Sequence, residues 1–403
     1  MKVIFENKTY DITDWLENHP GGKNILLRFE NRDITDEYYA FHTFTPYYIL
    51  KNSLHTIDDQ STLIQKDFRL LREVFEERGY FKKDDVDIIP FLFFLLFIFL
   101  LENLILKAVC LALFWQQIAF IGHDMGHESK KTKSLIFSNL LTGIGMSWWR
   151  NSHNMHHVLP NSLHEDPDIA HLPFLALDSR MYDFYEKHLT CGFFFCRFLA
   201  KWIFLPYQKY WFYILMAFSR HNLYVQTCIY LYWEWKKVGK MEKLMQLGFF
   251  SWYWLLLLQF EDWSNRFLFH FLTHALAGFL NLQITLSHFS RPINLGTDDF
   301  YSRNISATQD ISCLPLWDWL HGGLQFQTTH HLFPTMGRKY LREATPFVVA
   351  LCQKHDLPYK KVTFMEANRA ILAVLEEESN IYWRKNQRKN QTSIGRKEVH
   401  KGC

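Results

Sequence analysis

The sequence predicts an α-helical integral membrane protein with two transmembrane hairpins (about four spans) and a cytosolic helical cap, preceded by a small α+β domain. Three observations lead to this prediction. The 403 residues are 17% aromatic and include 37 Phe. The mean hydropathy is nevertheless only -0.15, so the apolar side chains must be concentrated in a few runs. Many of the 20 His, finally, fall into clusters close to those runs.

Residues 1–55 are expected to fold as the small polar domain. They contain the run His19-Pro20-Gly21-Gly22 and, further on, Ala40-Phe41-His42. The first residues lack the apolar stretch of a secretory signal, so this end is expected to remain in the cytosol.

Residues 56–87 are charged and are expected to form a connector. Apolar residues recur at near-helical spacing between Thr62 and Arg78, which indicates an amphipathic helix. That pattern suits a helix on the membrane surface and a helix packed against a protein core equally well.

Residues 88–350 are expected to contain the membrane part and the metal centre. The apolar run from Ile88 to Ile121 is interrupted near 102–107. As one helix it would measure about 50 Å, well beyond the roughly 30 Å hydrocarbon core, so a hairpin is expected. A second hairpin is expected from 247–260 and 267–289. Lysines flank the side on which both hairpins start and finish, which makes that side cytoplasmic.

Two further segments are less apolar. The interval 191–233 is aromatic but carries charges at short spacing, and it is expected to form interfacial helices, with a third hairpin as the alternative. Residues 351–403 are expected to form a C-terminal helix and a basic tail, disordered from Arg384 onward.

Histidines cluster on three short stretches, with spacings of three and four residues that place them on one face of a helix. His288, at the cytosolic end of the second hairpin, adds an eighth imidazole. The candidate metal ligands are His123, His127, His153, His156, His157, His288, His330 and His331. A single tetrahedral zinc needs four donors, so eight donors indicate two metals. Imidazole alone does not identify the metal.

His270 and His274 are excluded from this centre by distance. They lie about 20 Å from His288 along the same expected helix. We interpret them as groups that hydrogen bond between helices. Nucleic-acid binding is also excluded as a function, because the basic residues form no stripe interleaved with aromatic side chains.

The N-terminal motifs resemble those of the cytochrome b5 domain. The resemblance implies a haem b held from opposite sides by His19 and His42, with Pro20 and the two glycines forming the turn that presents His19. With both axial positions filled, such a haem carries electrons and does not bind oxygen.

The His clusters, the two hairpins and the fused haem domain together resemble the membrane fatty-acid desaturases, and the string WDWLHGGLQFQTTHHLFP resembles their front-end branch. The resemblance implies two non-haem irons, oxygen as oxidant, and electrons from NADH through a cytochrome b5 reductase. It also implies a long-chain fatty acyl lipid or acyl-CoA substrate in a narrow tunnel. The expected location is the endoplasmic reticulum membrane, with several spans and both termini cytosolic.

The same resemblance implies roles for side chains near the irons. The eight His become iron ligands, and Gln327 stands where relatives have a His. Gln327 is expected to be a catalytic residue that hydrogen bonds near the metal, since a neutral amide is a poor iron ligand. Three carboxylates, Asp124, Asp166 and Asp168, can fix the imidazole tautomers, although Asp168 suits a solvated position equally well. Trp148 and Trp149 suit either the tunnel wall or ordinary packing.

The first functional hypothesis is a front-end desaturase of polyunsaturated acyl chains, of the delta-6 or delta-5 type. The alternatives are a delta-8 sphingoid-base desaturase and a fatty acyl hydroxylase. A membrane haem electron carrier with a structural metal is the alternative from a different class of protein.

Overall fold

The computed structural model describes residues 1–19, 21–42, 53–82, 89–127, 131–182, 198–297 and 299–399. The turn expected at Pro20 and the start of the 191–233 interval lie outside these residues.

The N-terminal unit is a small α+β structure, as expected. Strands β1 (Lys2–Phe5), β2 (Lys8–Asp11) and β3 (Ser53–Thr56) form an antiparallel sheet in that order, and helices α1 (Lys23–Leu27) and α2 (Thr35–Phe41) complete it. Alternate side chains of β1, Val3 and Phe5, are buried against Tyr10 and Ile12. This alternation is the pattern of a strand with one face on a core.

The connector contains the expected helix, α3 (Leu63–Glu77), which starts at a capping box formed by Thr62 and Gln65. Phe68 and Phe75 are fully buried against the C-terminal half of the chain. The helix therefore packs against a protein core, which decides between the two interpretations that its spacing allowed.

The first apolar run forms two packed helices, α4 (Ile89–Leu100) and α5 (Leu104–Gly126). The chain breaks between them because the Asn103 side chain accepts hydrogen bonds from the amides of Ile105 and Leu106 and so starts a new helix. Helix α5 is long and apolar enough to cross a membrane. Helix α4 has 12 residues and measures about 18 Å, shorter than a hydrocarbon core.

The middle of the chain begins with α6 (Lys131–Leu135), which continues as a wider helical turn (Ile136–Leu140), and α7 (Met146–Val158). Helix α8 (Gln208–Trp233) follows and runs without reversal, so the part of 191–233 that the structure describes contains no hairpin. The second apolar region consists of α9 (Lys240–Leu257), α10 (Trp263–Ala277) and α11 (Phe279–His288). Among the described residues, only α5 and the stretch Trp263–His288 pass as candidate spans by length and composition.

The remaining elements form the cap. They are α12 (Phe300–Ala307), β4 (Asp310–Ser312), α13 (Asp318–His321), α14 (Gln327–Leu332), α15 (Leu341–Lys354), β5 (Lys361–Thr363) and α16 (Phe364–Val399), with β4 and β5 parallel. The expectation of disorder from Arg384 was wrong, because α16 continues to Val399. Ile371 and Leu375 anchor its first half in the core, and the Lys, Arg, Gln and Glu that follow are good helix formers.

The N-terminal unit is joined to the rest through α2. The Asp36 carboxylate accepts hydrogen bonds from Arg69 (2.6 Å), Gln65 (3.0 Å) and Tyr301 (3.1 Å). Next to it, Glu37 pairs with Arg303 at 2.9 Å, and both side chains are largely buried. Burying a charged side chain costs free energy unless hydrogen bonds and opposite charges compensate for the lost water. These contacts therefore hold the N-terminal unit only as long as each carboxylate keeps its partners.

Replacing Asp36 with Ala should release the N-terminal unit, because it removes the buried carboxylate that Arg69, Gln65 and Tyr301 bond. We expect the free energy of unfolding of the docked unit to fall by about 3 kcal/mol. Limited proteolysis and thermal unfolding of the detergent-solubilised protein measure this. Glu30→Ala, at an exposed position of the same unit, is the control. Equal protease resistance of the two variants would contradict the prediction.

Candidate metal centre

The eight predicted ligands converge in two adjacent groups. The first group contains His123, His127, His153, His157 and His330, and the second contains His156, His288 and His331. Within each group, one ring nitrogen from every residue lies within 4.8 Å of the others. The two groups touch, since the rings of His157 and His331 stack with centroids 4.0 Å apart.

Four helices supply these side chains. Helix α5 ends at His123 and His127, α7 carries three of the ligands one turn apart, α11 ends at His288, and α14 carries His330 and His331. The spacings of three and four residues aim each set to one side of its helix, as the sequence predicted.

Most of the ligand rings are oriented by a bond from Nδ1 to a group outside the cluster. His156 is 2.9 Å from Asp166, His331 is 3.0 Å from the Asn304 amide oxygen, and His288 is 3.2 Å from the Ala307 carbonyl. His123 lies 3.2 Å from Asp124 and His153 lies 3.5 Å from Asp168. An imidazole fixed in this way presents Nε2 as a lone-pair donor on the other side, the usual arrangement of metal-ligating His.

The inner nitrogens are buried and crowded. The Nε2 atoms of His123 and His153 lie 3.1 Å apart, and those of His153 and His157 lie 3.0 Å apart. Within the described part of the chain, Nε2 of His156, His330 and His331 has no hydrogen-bond partner. Burying unpaired polar atoms is costly unless a ligand satisfies them. The donor set therefore fits two metal ions.

Burial also keeps most of these imidazoles neutral. It lowers the pKa of His153 to about 3, and it lowers the pKa values of His157, His330 and His331 well below the usual value. His156 differs: burial alone would lower its pKa, but the carboxylates of Asp166 and Asp168 raise it to about 9. Because Nδ1 bonds Asp166, Nε2 is the ring nitrogen that lies among the other members of the second group.

Gln327 lies at the second group, with its amide nitrogen 3.1 Å from Nε2 of His288. Its amide oxygen is buried and has no partner among the described residues. The amide is therefore close enough to act either as a fourth donor beside three imidazoles or as a hydrogen-bonding group.

Some contacts were not predicted from the sequence. Asn304 orients His331 directly. Arg338 pairs with Asp124 at 2.6 Å and thus affects His123 through that carboxylate. Both residues lie far along the chain from the groups that they bond. Trp149 packs on the rings of His123, His127 and His153 at 5.3, 5.4 and 4.3 Å. It is thus a wall of the first group. Its position on α7, four residues before His153, could have suggested this, but Asn304 gave no signal in the sequence.

His19 and His42 face each other in the N-terminal unit, with ring centroids 6.4 Å apart. Nδ1 of His19 lies 3.2 Å from the Gly22 carbonyl, and Nδ1 of His42 lies 3.0 Å from the Tyr38 carbonyl. Two imidazole–metal bonds of about 2 Å from opposite sides require ring centroids roughly 6 Å apart, so the pair fits a bis-histidine haem.

His270 and His274 do not join the metal centre, as the sequence predicted. His270 lies on α10 and its Nε2 is 3.0 Å from Nε2 of His221 on α8, while Tyr253 on α9 bonds its other nitrogen at 2.9 Å. The cluster therefore hydrogen bonds between helices, in line with the interpretation from the sequence.

Comparison with known proteins agrees with this geometry. The fatty acid desaturase family model matches residues 102–363, and the cytochrome b5-like heme/steroid binding domain model matches residues 1–65. The chain belongs to the fatty acid desaturase family. No solved structure matches it significantly.

The desaturase has similar relatives over nearly its full length. Delta(8)-fatty-acid desaturase 2 of Arabidopsis thaliana is 34% identical over 399 residues, which cover 91% of this chain and 87% of the relative. Acyl-lipid (9-3)-desaturase of Borago officinalis is 34% identical, with 93% and 89% covered. Delta 8-(E)-sphingolipid desaturase of Candida albicans is 34% identical over 300 residues, which cover 69% of this chain and 50% of the relative.

Membership of the fatty acid desaturase family confirms the expected class of reaction and the expected cofactors. The protein is a membrane-bound front-end desaturase, an oxidoreductase that acts on long lipid chains, and its cofactors are two non-haem irons and a haem b. The two groups of imidazoles and the facing pair in the N-terminal unit have the donor sets that these cofactors require.

Gly126 allows Trp149 to pack on the first group, since a Cβ at this position would lie 2.0 Å from the indole. We therefore expect Gly126→Ala to displace Trp149 and the His rings on it, and to lower the iron content per chain. Elemental analysis of purified protein measures this. Gly239→Ala is the control, because nothing lies within 4 Å of a Cβ there. Full iron occupancy in Gly126→Ala would count against the prediction.

Asp166 holds His156 in the orientation that directs Nε2 inward. Asp166→Ala should weaken iron binding at the second group by about 10- to 100-fold, the usual effect of losing such an orienting carboxylate. Iron retained during chelator titration measures the change, and the haem spectrum should be unaltered. Glu261→Ala, in an exposed turn, is the matched carboxylate control. If both variants lose iron at the same chelator concentration, Asp166 has no orienting role.

Proposed function

We propose that this desaturase inserts a double bond at the delta-8 position of a long chain, with a sphingoid long-chain base as substrate. The observation that carries the catalytic part is the convergence of eight imidazoles, seven of them buried, in two adjacent groups. The position of the double bond rests on relatives named delta-8 desaturases, which resemble this chain over most of its length, and on the sphingolipid desaturases of yeasts.

A front-end acyl desaturase of the delta-6 or delta-5 type is the second candidate. The resemblance to the acyl-lipid (9-3)-desaturase of Borago officinalis favours it, since identity and coverage equal those of the delta-8 relatives. The motif around Gln327 suits both substrate classes.

The proposed ligands of one iron are the first group of five His, and those of the second iron are His156, His288 and His331 with Gln327 beside them. When bound, the irons supply the oxygen chemistry that removes hydrogen from an unactivated chain. Asp166, Asp168, Asp124 and Asn304 hold the imidazoles in position, and Trp149 shields the first group from water. His19 and His42 are the proposed haem ligands, and a cytochrome b5 reductase is the proposed source of electrons.

The proposed topology follows from the position of the charges. Lysines lie before α4, after α5 and before α9, and the His groups lie at the same ends of α5 and α11. We place these ends, the haem unit and both termini in the cytosol at the endoplasmic reticulum, with hairpins in the bilayer. The proposed units are 1–55 for haem, 56–87 as connector, 88–350 for desaturation and 351–403 as C-terminal helix.

Substitutions at the two cofactor sites should have separate effects on product formation and on the haem spectrum. His156→Ala removes a buried ligand and should abolish product formation while the haem spectrum stays normal. His42→Ala should remove the bis-histidine haem spectrum while iron binding persists. Absorbance spectra, iron analysis and product assays measure these effects. His164→Ala, at an exposed position outside both groups, is the control. Product formation by His156→Ala at the normal rate would favour the electron-carrier hypothesis.

Expression in a yeast that lacks polyunsaturated lipids separates the two substrate classes. We expect new delta-8 unsaturated sphingoid bases in total lipid hydrolysates, identified by mass spectrometry, and unchanged fed C18 and C20 acids. If only the fed acids became unsaturated, the substrate would be an acyl chain and not a sphingoid base. If well-expressed, haem-loaded protein alters neither lipid class, the proposed reaction is wrong.

A further inference from the structure

Phe41 lies between the two cofactor sites. It is the last residue of α2, and the next residue is His42. Its ring centroid is 6.2 Å from that of His157 and 6.5 Å from that of His127. Aromatic rings at such separations are in contact or close to it. One side chain thus connects a haem-facing His, through a single peptide unit, with two imidazoles of the first metal group.

The position of Phe41 is fixed by packing from both sides. Its ring packs on a small buried cluster in which Ile25 and Phe29 come from the N-terminal unit and Val158 comes from α7. The glycine turn also meets α7, since a Cβ at Gly22 would lie 2.8 Å from the Asn151 side chain. The docked arrangement therefore holds the ring against the metal group.

Charged pairs hold α2 in the same place. Glu37 bonds Arg303, whose guanidinium also donates to the Val158 carbonyl at 3.0 Å. That carbonyl belongs to the last residue of α7, one position beyond His157. The helix before Phe41 and the helix that carries His157 are thus tied to one guanidinium, which fixes the distance between the two sites.

We propose that Phe41 is the bridge through which electrons pass from the haem to the first iron group, an inference that rests on the cofactor assignments under the proposed function. In each transfer a ferrous haem is oxidised to ferric and one ferric iron is reduced to ferrous. Two transfers supply the two electrons that, with two protons, reduce one O2 to two waters as the substrate loses two hydrogens. The reductase then restores the ferrous haem.

This assignment distinguishes the two metal groups. The ring of Phe41 contacts ligands of the first group, His127 and His157, and the second group lies behind His331. Electrons therefore enter at the iron held by five imidazoles. The transfer rate falls steeply as the gap between the groups widens, so removing the ring should slow the transfer without altering either cofactor.

The transfer can be measured without turnover. Full-length protein in lipid nanodiscs, loaded with haem and ferric iron, is made anaerobic, and a laser flash with a photosensitiser reduces the haem. The decay of the ferrous haem absorbance then reports its oxidation by iron. We expect Phe41→Leu to slow this decay by roughly tenfold or more, and Phe41→Tyr, which keeps a ring, to restore it. The haem reduction potential, haem spectrum and iron content should match those of the unmodified protein.

Phe29→Leu is the matched control. It changes a Phe of the same buried cluster whose ring, among the described residues, meets no ligand His, so its decay should resemble that of the unmodified protein. If Phe41→Leu decays as fast as the unmodified protein, or if Phe29→Leu slows it equally, the bridge is overturned. Should Phe41→Leu bind less iron, Phe41→Met replaces it in the comparison with Phe41→Tyr.

The same measurement separates failure of the bridge from failure of the proposed function. Rapid decay in both the unmodified protein and Phe41→Leu refutes the bridge alone. If the unmodified protein shows no decay of ferrous haem although iron is bound, intramolecular electron delivery is wrong, and the bridge fails with it.

Discussion

The structure depends on bringing eight imidazoles side by side, nearly all of them buried. Seven of them are buried and His123 is partly exposed, and several inner nitrogens have no partner among the described residues. Such a cluster is stable only when the outer nitrogens are bonded and the inner ones bind cations. Four helices end at or carry these imidazoles, so the packing of α5, α7, α11 and α14 is set by the requirement to meet there.

The partners of the outer nitrogens extend this constraint through the cap. Asp166 follows α7, Asn304 lies on α12, and Arg338 reaches Asp124 from the segment before α15. Elements that contribute no ligand are therefore also fixed relative to the irons. Ala344 and Val348 of α15 are fully buried in this part of the chain.

The haem unit is part of the same arrangement. Asp36 and Glu37 on α2 pair with Arg69 and Arg303, and apolar side chains from α1 and α7 meet beneath it. A unit held by buried charges and a shared core keeps a fixed distance from the irons, whereas a unit on a flexible tether would have to find them at each transfer. The docked arrangement thus suits the proposed transfer of electrons from the haem to the first metal group through Phe41.

The sequence by itself determined which His are the candidate metal ligands, where the two apolar runs break and which two His are the candidate haem pair. Each depends on local spacing: three or four residues along a helix, an apolar run with a polar break, a glycine turn beside a His. Tertiary structure alone decided the division into five and three imidazoles, the roles of Asn304 and Arg338, and the contact of Phe41 with His157. These contacts join residues that are tens to hundreds of positions apart, and helical periodicity carries no information about which faces meet. The helix beyond Arg384 was not predicted, because the composition of this segment is that of a solvated, disordered chain. A helix that is already anchored by Ile371 and Leu375, however, needs only good helix formers to continue.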